Sequence, residues 1–304
     1  MRPRHRPLAT WLAVVLHLLV AVLLLGATLP AQAQQPVAAR RVGVLTFTQL
    51  TPALQEPLRQ ALREQGYVEG QNLAIEWRAA DGRPERAKAL AQELVGLKVD
   101  VIVANLTPAV QAAKEATATI PIVMASAGDP VGTGFVKSLA RPGGNITGLT
   151  GISAELAGKR IELLRELVPG LTRAGLLLNG TNPFAKSLVS ETRAASKRAG
   201  LELQIIDVRR AQDVDPALSG LTQRRAQAVI VDAALTTWRA AELARQHRLP
   251  SISNQRAFVE AGGLAFHGGE ASDVQRRGAI FVAKILKGAS PAELPVGQPP
   301  RFGL

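Results

Sequence analysis

Short runs of Val, Ile, Leu and Ala alternate with helical stretches along almost the whole chain, and this alternation leaves few folds open. Arg41–Thr46, Asp100–Ala104, Ile120–Ala125, Arg173–Leu178 and Ala228–Asp232 read as strands with no polar face. Strands without a polar face belong to parallel sheets covered by helices on both sides. Leu73–Trp77, Leu201–Val208, Leu249–Ser253 and Gly263–His267 extend the set. Between them lie helical patterns. One has Pro57 in its first turn and Gly66 at its stop. Another opens at Pro84 with Ala87, Leu90, Ala91, Leu94 and Leu97 on one face. A third has Thr107-Pro108 as cap and first turn. Further helices are expected at Glu155–Leu167, Pro183–Ala199, near Pro216–Arg224, from there to Arg248, at Phe258–Ala261 and at Ser272–Leu286. The fold class is α/β. A single sheet of ten or eleven strands would be unusually wide. Two doubly wound parallel-sheet lobes, near 41–149 and 150–263, fit better, with Gly143–Gly148 as the hinge between them.

Residues 1–33 stand apart. Arg2, Arg4 and Arg6 precede an uncharged apolar run, Leu8–Leu29, followed by Pro30 and Ala31-Gln32-Ala33. A basic start, an apolar middle and small residues at a cleavage site make a secretory signal peptide. The run is also long enough for an uncleaved membrane anchor. Cysteine is absent, so an oxidising compartment is not used for disulfides, and a lipid anchor on Cys is ruled out. An exported protein without an anchor is kept near its cell by an outer membrane, which points to the periplasm. The chain has 36 Lys and Arg against 24 Asp and Glu. Such charge suits nucleic acid or an anionic surface. Here the arginines (Arg59, Arg63, Arg86, Arg160, Arg165, Arg193 and Arg198 among them) scatter over expected helices, and few aromatics interleave with them. A solvated surface is the simpler reading, with no nucleic-acid partner.

Open parallel sheets bind ligands beyond the carboxyl ends of their strands. The residues there are Thr46, Phe47 and Thr48; Asn105 and Thr107; Ser126 and Asp129; Asn179, Thr181 and Asn182; Asp232; Asn254; and His267. Small hydroxyls and amides at helix starts suit a carboxylate, and Asp129 or Asp232 would answer an ammonium. Taken one at a time, these are also ordinary caps and turns. A small zwitterion such as an amino acid follows as the ligand, with Phe47 and Phe266 as aromatic walls, a role that competes with plain core packing. Catalysis finds little support. There is no G-x-S-x-G, Walker A or G-x-G-x-x-G string, and only His247 and His267 lie beyond the leader. No metal or cofactor is called for. An exported α/β hydrolase lacks its nucleophile motif. A cytoplasmic regulator lacks a helix-turn-helix before Arg41.

Seven strings then appear in order: Tyr67–Asn72, Leu97–Val103, Thr119–Val123, Gly128–Gly132, Ser138–Gly148, Gly158–Leu164 and Phe258–Gly263. Together they resemble the family of ABC-transporter substrate-binding proteins, whose better-understood relatives bind aromatic amino acids such as tryptophan. The resemblance runs from Arg41 to about Phe302. It implies a type I periplasmic-binding fold, with two α/β lobes joined by crossing strands and closing on a ligand. It implies that 41–149 plus 264–291 form lobe 1 and 150–263 plus 292–304 form lobe 2. It implies that Thr46–Gln49, Thr107, Ser126–Asp129, Asn179–Asn182 and Asp232 line the cleft. The partners would be a small solute and an inner-membrane ABC permease, and the protein would be a monomer. A periplasmic sensor of the same fold that signals to a receptor is the alternative. Three departures from the family stand out: a short loop after Asp232, Phe266-His267-Gly268 where relatives often carry Tyr before the Gly, and an early end at Leu304.

Overall fold

The computed structural model describes residues 39–152, 154–235, 237–298 and 302–303. The expected leader, 1–33, lies outside them. Residues Ala39–Leu304 form one compact unit.

The first half holds strands β1 (Arg40–Thr46), β2 (Leu73–Ala79), β3 (Val101–Asn105), β4 (Ile122–Gly128) and β5 (Ile146–Ile152). Helices α1 (Pro52–Glu64), α2 (Pro84–Gly96) and α3 (Thr107–Ala116) connect the first four. The second half holds β6 (Arg173–Leu178), β7 (Glu202–Asp207), β8 (Ala228–Val231), β9 (Ser251–Ser253) and β10 (Ala265–Phe266). Its helices are α4 (Ala154–Leu167), α5 (Ala185–Arg198), α6 (Val214–Gln223), α7 (Thr237–Gln246) and the single turn α8 (Arg256–Glu260). The short β11 (Gly268–Gly269), α9 (Ala271–Leu286) and β12 (Phe302–Gly303) follow.

All pairing within the two five-stranded sheets is parallel. The orders are β2-β1-β3-β4-β5 and β10-β9-β8-β6-β7. Counted from its own first strand, each sheet has the order 2-1-3-4-5, so the halves share one doubly wound topology. In that order the connection reverses beside the first strand, and a crevice opens there at the carboxyl ends.

Alternation along each strand feeds two faces. Leu45, Ile102, Ala104 and Met124 pack under α2 and α3, while Val42, Val44, Val101 and Val103 pack under α1 and α9. In the second sheet Leu177, Val229 and Val231 meet α6 and α7, and Leu176, Ile230 and Ile252 meet α4 and α5. Both faces of each sheet are closed, as the continuous apolar runs require.

Three expectations change. Helix α1 begins at Pro52, with extended Thr51 before it. Thr51-Pro52 is the cap and first-turn pair, and Pro57 sits one turn further in. Pro57 removes the N–H that would bond the carbonyl of Ala53. The glycine-rich stretch 143–148 is not the link between the lobes, because β5 pairs with β4 from Ile146 onward. Gly148 (φ +123°) is glycine because the strands touch: a Cβ there would stand 2.4 Å from the carbonyl oxygen of Met124. Residues 292–298 lie on the first sheet, not the second. Gly297 N–H donates to Gly148 O at 2.9 Å, Thr150 N–H to Gly297 O at 2.9 Å, and Val296 N–H to Leu139 O at 2.7 Å. Thr147 Oγ1 donates to Leu294 O at 2.6 Å. As the edge strand, β5 has free backbone groups, and this segment satisfies them.

Gly148→Ala is expected to destabilise the protein by about 3 kcal/mol, since it adds both backbone strain and a backbone clash. Urea unfolding of the two proteins measures it.

Candidate functional site

The carboxyl ends of the two sheets border a cleft of about 710 Å³. The loop after β1 supplies Thr48 and Gln49, and the start of α1 supplies Thr51 to Leu54. Asn105 and Leu106 come from the end of β3, Ser126 from β4 and Gly151 from β5. From the second lobe come Asn254 to Ala257; Gly269 to Ser272 and Gln275 lie at the start of α9, which packs on the first sheet. A smaller cavity of about 310 Å³ lies between Phe47, α2 and α3 on one side and Asn179 to Pro183, Arg209 and Ala234 on the other.

The large cleft offers donors. Thr51 and Glu270, at the caps of α1 and α9, make no side-chain cap bond. The N–H groups of Ala53, Ala271 and Ser272 have no acceptor among the described residues. The first turn of a helix leaves such groups free, and the helix dipole makes them attractive to an anion. The cleft also offers acceptors. Asn254 Oδ1 and Gln275 Oε1 are buried without a hydrogen-bond partner among the described residues. Gln275 is 2% exposed. Pro52, Leu54, Pro57, Leu106 and Val274 form an apolar wall beside these groups.

One rim is ionic. Arg256 Nε donates to Glu270 Oε2 at 3.1 Å, and its Nη2 donates to Oε1. The guanidinium lies 4.4 Å from the centre of the Phe266 ring. The bond from Arg256 holds the Glu270 carboxyl below the usual carboxylate range.

The sequence-selected residues divide among several places. Thr48 and Ser126 line the large cleft; Phe47, Asn179 and Asn182 border the smaller cavity. Thr46 is fully buried at the end of β1, with Oγ1 3.5 Å from that of Thr48. Thr107 Oγ1 accepts from Gly128 N–H at 2.9 Å. Asp129 accepts from Gly132 N–H at 2.9 Å and from Ser187 Oγ at 2.5 Å, so it joins the end of β4 to α5. Asn182 Nδ2 donates to Asp232 Oδ2 at 3.3 Å.

Burial raises the Asp232 pKa against the bonds that oppose it. Close by, the buried Arg160 guanidinium is lowered to about 10 by desolvation. Its Nε donates to the carbonyl of His267 at 3.2 Å. The His267 ring is pushed down by burial and then by Arg160 and Lys159. Asp232 and Arg160 thus form a buried polar layer beneath the second lobe's side of the cleft. Phe266 is buried beneath Arg256, and no aromatic side chain lines the large cleft among the described residues.

Sequence reasoning passed over Arg256, Glu270 and Gln275. Gln275 had a readable signal, because it sits on the apolar face of α9 with Val274, Ala279 and Val282. Among the described residues no group of three or more His, Cys, Asp or Glu could hold a metal, and no helix is long and apolar enough to cross a membrane.

Residues 48–302 match the family model described as ABC transporter substrate binding protein. The chain belongs to this family. It is 28% identical over 243 residues to a tyrosine-binding protein of Clostridioides difficile strain R20291, covering 78% of this chain and 69% of that one. A conserved domain protein of Vibrio cholerae O1 biovar El Tor superposes with a TM-score of 0.79 at 30% identity, covering 86% of this chain and 89% of that one. The ABC domain of a Streptococcus pneumoniae protein in complex with L-Trp superposes with a TM-score of 0.77 at 27% identity, again over 86% and 89%. The two α/β lobes are therefore those of a type I periplasmic-binding fold, and family members of this kind bind solutes.

Glu270 ties the ionic rim to stability. Its folded pKa is lowered, so its contribution is present above the ordinary Glu value of about 4.3 and is lost as pH falls through the lower folded value. Glu270→Gln is expected to melt below wild type at pH 7, and the gap should close below about pH 4. Melting curves across pH 3–7 check this.

Proposed function

We propose that this protein is the extracytoplasmic solute-binding component of an ABC uptake transporter. Its solute is a small zwitterion, an amino acid with an apolar or aromatic side chain, held in the 710 Å³ cleft. One observation carries the reading: free N–H donors at two helix starts share the cleft with Asn254 and Gln275, whose buried side-chain oxygens have no hydrogen-bond partner among the described residues. The carboxylate goes to Ala53, Ala271 and Ser272, at the positive ends of α1 and α9. The ammonium goes to Asn254 Oδ1 and Gln275 Oε1. A buried polar atom left unpaired costs roughly 1–3 kcal/mol, so a ligand that pairs both oxygens gains what the empty cleft loses. The side chain lies on Pro52, Leu54 and Val274. The volume suits this class, since small-molecule sites run to about 300–1,000 Å³.

Of the residues selected from sequence, Thr48, Ser126 and Asn254 touch the ligand in this reading. Asp129 acts through Ser187 at lobe closure. Thr46 and Asp232 support the loops from beneath. Hinge closure then buries the solute and presents one shape to an inner-membrane permease. The relatives support the choice of ligand, since one is named for tyrosine and another holds L-Trp. An export signal at 1–33 would place the chain in the periplasm.

Thermal-shift screening of residues 34–304 against the amino acids tests the reading. L-Tyrosine, L-tryptophan or another apolar amino acid is expected to raise the melting temperature. At ~100 times Kd the gain is about 2.7 kcal/mol. Asn254→Ala should shrink the shift without lowering the ligand-free melting temperature by more than a degree or so, about what a surface substitution costs. A folded protein that responds to no amino acid at millimolar concentration contradicts the proposal.

A further inference from the structure

The arginines that look scattered in the sequence are gathered by the fold. Four loops meet at the strand-amino-terminal end of the second sheet, away from the cleft. Glu202 N–H donates to Thr172 O at 2.9 Å, Gln227 N–H to Arg173 O at 2.9 Å, and Val229 N–H to Pro250 O at 2.8 Å. Arg173 Nε donates to Arg225 O at 3.1 Å, and Gln227 Nε2 donates to Gly170 O at 3.2 Å. These bonds hold Arg173, Lys197, Arg198, Arg224, Arg225 and Arg248 on one end of the molecule. All but half-buried Arg173 are exposed. None of the six forms an ion pair among the described residues. The acids on this end are Glu166, Glu202 and Asp215, and Asp215 is taken by His247 at 2.7 Å. At the matching end of the first sheet Arg40 pairs with Asp100 at 3.1 Å, while exposed Lys98 forms no ion pair among the described residues.

Favourable helix ends explain one cation per helix. They do not explain Arg225 and Arg248, which have φ of 60° and 53°. A residue with a Cβ is disfavoured in that conformation. After other helices the chain uses Gly66, Gly200 and Gly288 there, and after α2 of the first lobe it uses Lys98 (φ 52°). Two of the second lobe's stops carry arginine in place of the better-suited glycine, and outliers of this kind point to function.

The same end is also apolar. Leu167, at the end of α4, is 46% exposed. Leu264, whose N–H donates to Ser251 O at 3.1 Å, is 49% exposed. Cations around exposed leucines fit the headgroups and acyl boundary of a bilayer. A nucleic acid would need a groove or stacking rings, and neither cavity reaches these loops. We propose that this end of the second lobe docks on an anionic lipid surface. The apolar run Leu8–Leu29 brings the chain to a membrane whether it acts as a signal or as an anchor. The lipid proposal does not depend on which solute binds.

Co-sedimentation of residues 34–304 with vesicles tests it; the compact unit begins at Ala39 and holds all four apolar cores. Vesicles of phosphatidylglycerol mixed with phosphatidylcholine should bind the protein at low salt, and phosphatidylcholine alone should not. Arg225→Gly with Arg248→Gly should weaken binding roughly fivefold per arginine while the melting temperature holds or rises. Replacing both by Lys should keep binding. Leu167→Ser with Leu264→Ser should weaken the part that survives added salt. No binding to the anionic vesicles overturns the proposal. So does a glycine double variant that binds like wild type. Equal binding to polyglutamate or DNA, with the leucine variant unaffected, assigns the pole to a polyanion and also overturns it.

Discussion

Parallel strand pairing is the constraint on which the rest depends. A parallel strand is reached only by a crossover, so each helix returns the chain to the same edge and every strand ends at the same side. Each sheet thereby collects its loops at one end, with helix starts among them. The shared order of the two sheets sets a reversal point in each, and the cleft lies between those ends. The donors at Ala53, Ala271 and Ser272 are there because the strands run parallel. So is the opposite pole of the second lobe, where the ends of α5, α6 and α7 gather arginine.

The last segments of the chain return to the first half. Residues 292–298 satisfy the edge of β5, and β12 pairs with β11 just before α9. Asp129 and Ser187 meet from opposite halves. A methyl group on Gly128 would come within 2.6 Å of the Phe184 ring, so the lobes touch there with no room to spare. A ligand biases closure of such a pair only by its differential affinity for the closed state.

Much of this was legible in the sequence, for identifiable reasons. The strands could be read because a sheet covered on both faces needs unbroken apolar runs, such as Val101–Asn105. The rule that ligands sit beyond strand ends led to Thr48, Asn105, Ser126 and Asn254. It failed where the polar group comes from elsewhere. Gln275 is one turn inside a helix, and Arg256 and Glu270 form a pair across 14 residues. The stretch 143–148 reads as a flexible link, yet Gly148 answers a contact with Met124 that no local pattern encodes. Residues 292–298 have no periodicity of their own, because their partner is a strand edge nearly 150 residues earlier. The charge pole was hidden for the same reason: its arginines become neighbours only after the sheet forms.

The central claim is that one small solute is held by both lobes at once. Hydrogen-exchange mass spectrometry, with and without the amino acid that gives the largest thermal shift, tests it most directly. Slowed exchange is expected at 48–57, 126–129 and 270–275 in the first lobe, and together with them at 254–257 in the second. Protection confined to one lobe, or spread evenly with no focus on these segments, would contradict the account.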